Sequence, residues 1–257
     1  MVERDAWGAF LPPLASLAME AGAAIERIRA GTDWHTVAKD DGSPVTAADL
    51  AADTIIRAGL AAAFPAIPVV SEEDCARPSD PGAVFFLVDP LDGTREFVAG
   101  RPDYTVNIAL VEHGVPVAGV VLTSADGRLW CGAKGAGATR NGEAIRARPV
   151  RVPPVALISR SHREAATDGW VAARGVTETV IVGSSVKFCT IAEGEADVYP
   201  RFGPTMAWDT AAGQAVLEAA GGVVLTPEGA PFRYQAGQGW RNGCFIAWGA
   251  ASPPIAS

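Results

Sequence analysis

Between Leu14 and Arg29 the apolar positions Leu14, Leu17, Ala18, Ala21, Ile25 and Ile28 recur at helical spacing, and Gly31 follows as a stop. That pattern predicts an amphipathic first helix with one face turned to a core. A second, alanine-rich helix is predicted over Thr46 to Phe64. Short apolar runs then take over. Ile67-Pro68-Val69-Val70 and Phe85-Phe86-Leu87-Val88 have the length and residue types of buried strands. From Thr105 onward, alternating or apolar runs are separated by His113-Gly114, Asp126-Gly127 and Asn141-Gly142. This predicts an antiparallel meander, with Gly132, Gly135 and Gly137 at turns or bulges.

The two prolines of Val150-Arg151-Val152-Pro153-Pro154 interrupt the pattern, so the chain is expected to divide into residues 1–152 and residues 153–257. In the second half, Val155 to Ile158, Val180 to Val182 and Ala196 to Tyr199 alternate with helical stretches, as in an α/β layout. A small-residue helix is expected from Ala211 to Ala220. Lys39 to Val45 reads as a mobile loop able to close over a site, and Gly249 to Ser257 as a loosely held tail.

Composition narrows the classes. With 257 residues and 49% hydrophobic content, the chain can bury a sizeable core. Met1 to Asp5 lacks a basic segment leading into a signal-type core, and no apolar run is read as reaching the roughly 18 residues that span a bilayer. A cytoplasmic protein is expected, with a peripheral place at the inner face of the cell membrane left open. The formal net charge of −8, from 29 acidic and 21 basic residues, excludes a nucleic-acid-coating role. Cys75, Cys131, Cys189 and Cys244 are widely spread without paired metal spacing, so reduced thiols are expected.

The chemistry concentrates in Asp89-Pro90-Leu91-Asp92-Gly93-Thr94. A buried strand delivers Asp89 to its carboxyl end, Pro90 stops the ladder, and Asp92 can turn its oxygens back to the same point. A helix starting near Thr94 would aim free N–H groups at a phosphate, with Gly93 permitting close approach. Two more acidic clusters stand at element ends, Ser71-Glu72-Glu73-Asp74 and Trp208-Asp209-Thr210. None has a Lys or Arg beside it in sequence. Buried together they would repel, so a hard cation such as Mg²⁺ is expected to join them.

The motif at 89–94, together with Trp208-Asp209-Thr210-Ala211-Ala212-Gly213, resembles the inositol monophosphatase superfamily of Mg²⁺-dependent, lithium-sensitive phosphatases. The resemblance implies a layered α-β-α-β-α sugar-phosphatase fold of the α+β or α/β class, with two or three Mg²⁺ ions. It makes Glu72, Asp89, Asp92 and Asp209 metal carboxylates, joined by the carbonyl of Leu91. It makes Thr94 and Asp49, the latter in Pro44-Val45-Thr46-Ala47-Ala48-Asp49, the pair that orients the attacking water; Glu72 counts with them as catalytic.

Three stretches are most similar to the CysQ-type 3'(2'),5'-bisphosphate nucleotidases within that superfamily: Ser159-Arg160-Ser161-His162, Gly183 to Cys189, and Ala196 to Thr205, with Thr105 to Leu110 also fitting. They imply hydrolysis of 3'-phosphoadenosine 5'-phosphate to AMP. Gly93, Thr94, His162, Ser184, Ser185, Lys187, Arg201 and Asp209 would contact this nucleotide, Lys187 and Arg201 taking its second phosphate. Leu122-Thr123-Ser124-Ala125 departs from the pattern, which commonly has a proline there. A homodimer is left open. The sibling activities are inositol monophosphatase and histidinol-phosphatase, and the non-enzymatic rival is a Mg²⁺-dependent binding or regulatory protein. Haloacid-dehalogenase chemistry needs one residue between its aspartates where this chain has two, and no Gly-x-Ser-x-Gly elbow supports a serine hydrolase.

Overall fold

The computed structural model describes residues 6–31, 36–38, 44–74, 80–160, 164–235 and 237–250. The loop expected at 39–45, the tail beyond residue 250, Cys75 and His162 lie wholly or largely outside them. A 3-10 turn over Ala6–Phe10 leads into α1 (Leu11–Ala30), whose Pro12 and Pro13 fall in the first turn, where the N–H groups have no helical partner anyway. The short pair β1 (Thr36–Ala38) and β2 (Pro44–Thr46) precedes α2 (Ala47–Ala63). Thr46 caps α2: its hydroxyl accepts from Ala48 N–H at 3.1 Å while Asp49 accepts from Thr46 N–H at 2.8 Å.

Then come β3 (Val69–Ser71), β4 (Val84–Asp92), the single turn α3 (Thr94–Val98), β5 (Thr105–Glu112), β6 (Val115–Thr123), β7 (Arg128–Ala133), β8 (Gly137–Arg140) and β9 (Glu143–Ile145). The strands form one seven-stranded sheet in chain order, β3 parallel to β4 and the rest an antiparallel meander. The second half supplies β10 (Val155–Ser159), α4 (Ala165–Ala173), β11 (Glu178–Val182), α5 (Val186–Ala192), β12 (Val198–Arg201), α6 (Ala207–Ala219), β13 (Val223–Leu225) and β14 (Phe245–Trp248). Its five strands are ordered β11-β10-β12-β14-β13.

The near-continuous apolar run of β4 makes sense once both sheet faces are covered. Phe86 and Val88 face α1 and α2, packing with Leu14, Ile25, Ile56 and Leu60, while Phe85 and Leu87 point the other way, into a core shared with α5, α6 and the second sheet. Ala156, Val198 and Trp248 cover the far side with Val171 of α4. The layers therefore run α-β-α-β-α.

Two glycines decide where α6 can lie. Gly119 and Gly132 are cross-strand partners on β6 and β7. A Cβ on Gly119 would sit 2.7 Å from the Ala212 carbonyl oxygen, and one on Gly132 would sit 2.6 Å from Val216 Cα, so any side chain there would push α6 off the sheet. Gly132 is thus a close-approach position inside a strand, a correction to its reading as a turn residue.

Three further expectations are corrected. Helix α6 starts at Ala207, so Asp209 lies in its first turn rather than ahead of it. Helix α3 is five residues long, too short to gather much dipole. The stretch Ala6–Ala30 is, by length and hydropathy, apolar enough to cross a membrane. Its buried face, Leu14, Leu17, Ala18, Ala21 and Ile25, packs in the core of the first half.

Candidate active site

The ladder between β4 and β5 pairs Asp89 with Asn107, then shifts register before pairing Asp92 with Thr105. Pro90, which has no N–H to give, stands at the irregularity. Asp89 Oδ1 accepts from Leu91 N–H at 3.0 Å. Gly93 follows at φ 93°, a left-handed turn that a side chain would strain. Next door, Glu72 is fixed at the end of β3 by its N–H, which donates to Val88 O at 3.1 Å. Asp209 accepts from Met206 N–H at 2.8 Å across the start of α6.

These elements converge on one cavity of about 570 Å³. Its walls include Glu72, Asp89, Leu91, Asp92, Gly93, Thr94, Ser184, Ser185, Lys187, Arg201 and Asp209. Asp49 stands one layer behind, buried, and accepts a hydrogen bond from Thr94 Oγ1 at 3.1 Å. Its other oxygen is held by Thr46, whose hydroxyl donates at 2.6 Å. Of the site residues anticipated from sequence, only His162 falls outside the described residues.

Electrostatics set this cluster apart. Burial pushes the Asp89 carboxyl well above the usual range, and repulsion from Glu72, Asp92 and Asp209 adds to the rise. Asp209 is likewise raised by burial, then by Asp92 and Glu72. Asp92 is raised by burial although Lys187 and the hydrogen bonds from Ser185 oppose the shift. Among the described residues, no three His, Cys, Asp or Glu side chains are gathered tightly enough to grip a metal ion as they stand. The donor set itself is all oxygen, anionic and mutually repulsive, which suits a hard divalent cation and neither zinc-type sulfur nor imidazole ligation.

Lys187 and Arg201 are not solvated surface charges; each is only 4% exposed. Burial pulls the Lys187 ammonium down to about 8, Asp92 opposing and Arg201 adding to the drop. The ammonium donates to Val182 O at 3.3 Å and Ser184 O at 2.5 Å and stands 5.1 Å from the Tyr199 ring centre. Arg201 donates to Pro204 O at 2.9 Å. Ser184 adopts φ 41°, and its buried hydroxyl has no hydrogen-bond partner among the described residues. Ser185 is almost fully buried, its N–H donating to Asp92 Oδ2 at 2.7 Å.

Sequence reasoning missed Arg95, Tyr199 and Arg241 as pocket-lining residues. Arg95 carried a faint signal, being next to Thr94. Arg241 carried none: it reaches the wall through a bridge between its backbone and Met206, with the Asn242 amide donating to Met206 O at 2.7 Å and Thr205 Oγ1 at 2.9 Å. The ion pair of Arg160 with Asp103 was equally invisible, because it joins the two halves.

A cavity walled by buried and half-buried carboxylates and by buried cations, set where the two sheets meet, defines the protein's class. Residues 10–243 match the inositol monophosphatase family, and the chain belongs to it. Members are generally metal-dependent phosphatases. It is 43% identical over 251 residues to the 3'(2'),5'-bisphosphate nucleotidase CysQ of Escherichia coli K12, covering 90% of this chain and 96% of that one. The crystal structure of CysQ from Bacteroides thetaiotaomicron superposes with a TM-score of 0.82 at 34% identity, covering 93% and 97% of the two chains. A histidinol-phosphatase of Mycobacterium tuberculosis is 34% identical over 218 residues, covering 80% and 83%.

Proposed function

We propose that this chain is a Mg²⁺-dependent phosphatase that removes the 3'-phosphate of 3'-phosphoadenosine 5'-phosphate, giving AMP and phosphate. The observation that carries this reading is the pairing, in one cavity, of a carboxylate cluster with the buried cations Lys187 and Arg201. A monoester needs only the first. A substrate with a second anionic group gives the second a role, since cations that line a cavity out of bulk water attract an anion more strongly than exposed ones; Arg201 also lies 4.0 Å from Glu164 Oε1. Identity of 43% to nucleotidases of this kind supports the same substrate.

Glu72, Asp89, Asp92, Asp209 and the Leu91 carbonyl are the groups that would hold Mg²⁺, two or three ions. Bound there, the metal supplies Lewis acidity toward the phosphoryl oxygens and lowers the pKa of water. The protein's own part is to place and to move a proton. Thr94 Oγ1, hydrogen-bonded to Asp49 Oδ1 at 3.1 Å, orients the attacking water and passes its proton toward Asp49. Burial raises Asp49 despite the hydrogen bonds from Thr46, which suits a carboxylate that must take up a proton. Lys187 as a point charge, Arg201 as a fork and the Ser184 hydroxyl hold the second phosphate. His162 is assigned to the ribose or base.

The division at residues 152 and 153 belongs to the same reading. It is supported by the placement of the seven-stranded sheet before it and the five-stranded sheet after it. Asp89 and Asp92 then come from the first half, and Asp209, Lys187 and Arg201 from the second. A cytoplasmic place is inferred with it, supported by the core packing of α1.

The test is Mg²⁺-dependent phosphate release from 3'-phosphoadenosine 5'-phosphate, inositol 1-phosphate and histidinol phosphate, each with and without lithium. The expected result is a kcat/KM strongly favouring the nucleotide. Preference for either monophosphate would overturn the substrate, and no release from any of them would favour a Mg²⁺-dependent binding protein.

A further inference from the structure

The turn that carries Lys187 is tied to the first half through a buried set of hydrogen bonds that the reaction as described does not use. Ser185 N–H donates to Asp92 Oδ2 at 2.7 Å, and Ser185 Oγ lies 3.2 Å from the same oxygen. Thr105 Oγ1 is 3.5 Å from it and 3.0 Å from Ser185 Oγ. Ser185 Oγ also lies 2.7 Å from Asn107 Oδ1, while Asn107 Nδ2 is buried with no hydrogen-bond partner among the described residues. Thr105 and Asn107 are buried to within 1% of complete, and Ser185 to within 2%.

Counting protons sharpens this picture. The Ser185 hydroxyl has one proton and faces two acceptors, Asp92 Oδ2 and Asn107 Oδ1, while an amide donor beside it goes unused. Turning the Asn107 amide over puts Nδ2 on Ser185 Oγ and frees the hydroxyl proton for Asp92. Asp92 Oδ2 then receives the Ser185 N–H and hydroxyl, with Thr105 flanking. No hydrogen bond from a described residue reaches Oδ1. One carboxylate oxygen is anchored and the other is left for the cavity.

We infer that Ser185, backed by Asn107 and Thr105, is a positioning residue that fixes the Asp92 carboxylate and so sets how tightly the protein holds its divalent cation. This rests on the metal reading of Asp92 given above. Ser185 is the residue after Ser184 and two before Lys187, so the segment that faces the second phosphate also holds Asp92. Recognition of the nucleotide and retention of the cation are thereby joined through one turn.

The experiment is calorimetric titration of the metal-free protein with Mg²⁺, without substrate, for wild type, Ser185→Ala, Asn107→Ala and the double variant, with melting temperatures recorded in EDTA. Loss of an orienting partner typically weakens metal binding by about 10- to 100-fold. Ser185→Ala, which keeps the backbone N–H, is expected at the low end, about ten-fold, with Asn107→Ala close to it. The double variant should lose little more than either alone, because the two act in series. Thr105→Ser, which keeps the hydroxyl, should bind as wild type while Thr105→Val weakens. Wild-type Mg²⁺ affinity in Ser185→Ala, or losses that simply add, would overturn the inference while leaving the phosphatase reading intact. Absence of Mg²⁺ binding by wild type would instead defeat the metal reading on which both depend.

Discussion

Two buried aspartate centres in this molecule have opposite chemistry. Asp197 is fully buried, yet Arg148 chelates it at 2.8 and 3.0 Å, Arg151 adds a contact at 3.3 Å, and Val155 N–H donates at 2.8 Å. Burial, the largest single influence, would raise it, but the Arg148 hydrogen bonds and charge and the N–H groups of Val155 and Arg151 together outweigh burial and hold it below the ordinary carboxylate value. Asp89 is equally buried and is pushed the other way, by burial and then by Glu72, Asp92 and Asp209. The first centre is complete in itself and fastens the 148–151 segment to the start of β10. The second, on the proposed reading, is incomplete without an added cation. The difference separates a structural acid from a functional one better than burial does.

The largest effect expected from breaking this contrast lies at the incomplete centre. Asp92→Asn should abolish phosphate release, by more than the roughly 100-fold typical of losing a residue that only orients a ligand, while circular dichroism and melting remain those of a folded protein. Near-normal turnover would remove Asp92 from the site. At the complete centre the effect should fall on stability instead. Asp197→Ala leaves two arginines facing a buried void and is expected to cost about 3–5 kcal/mol in urea unfolding, with kcat/KM of the surviving folded protein close to wild type.

Acid sharpens the contrast further. Because the folded pKa of Asp197 lies below its unfolded value, its stabilising contribution is full above the ordinary carboxylate range and is lost as pH falls through the lowered value. The advantage of wild type over Asp197→Asn should therefore shrink between about pH 5 and pH 2. A gap that stays constant over that range would mean the pair contributes nothing as ions.

A smaller effect is expected at Lys187. Lys187→Ala should raise KM for the bisphosphate about ten-fold or more and leave KM for a monophosphate nearly unchanged, as suits loss of a hydrogen bond to a charged group. Equal changes in both would show that the ammonium serves only the Val182 and Ser184 carbonyls.

Much of this contrast was legible in the chain. The strand ending in Asp89-Pro90-Leu91-Asp92 announces itself by its apolar run and its proline, and the acids singled out with it, Glu72, Asp89, Asp92 and Asp209, all line one cavity. Helices α1 and α2 and the antiparallel strands from Thr105 follow from period and punctuation. What stayed hidden depends on contacts between distant segments. Asp197 carries no local mark of its role, since Arg148 and Arg151 lie more than forty residues away, at separations of 49 and 46. The same holds for Arg241 on the pocket wall and for the Ser185, Asn107 and Thr105 set. Gly132 was misread because a glycine in a strand signals either a bend or a close neighbour, and only the position of α6 decides between them.

The most direct measurement is thermal unfolding of wild type and Asp89→Asn in EDTA and across a Mg²⁺ titration. If the carboxylate cluster is a cation site, the substitution should raise the melting temperature in EDTA by relieving repulsion. Mg²⁺ should then raise that of wild type alone, with about 2.7 kcal/mol gained at a hundred times the dissociation constant. A wild-type protein indifferent to Mg²⁺, with Asp89→Asn less stable in EDTA, would contradict the assignment of these acids to a cation.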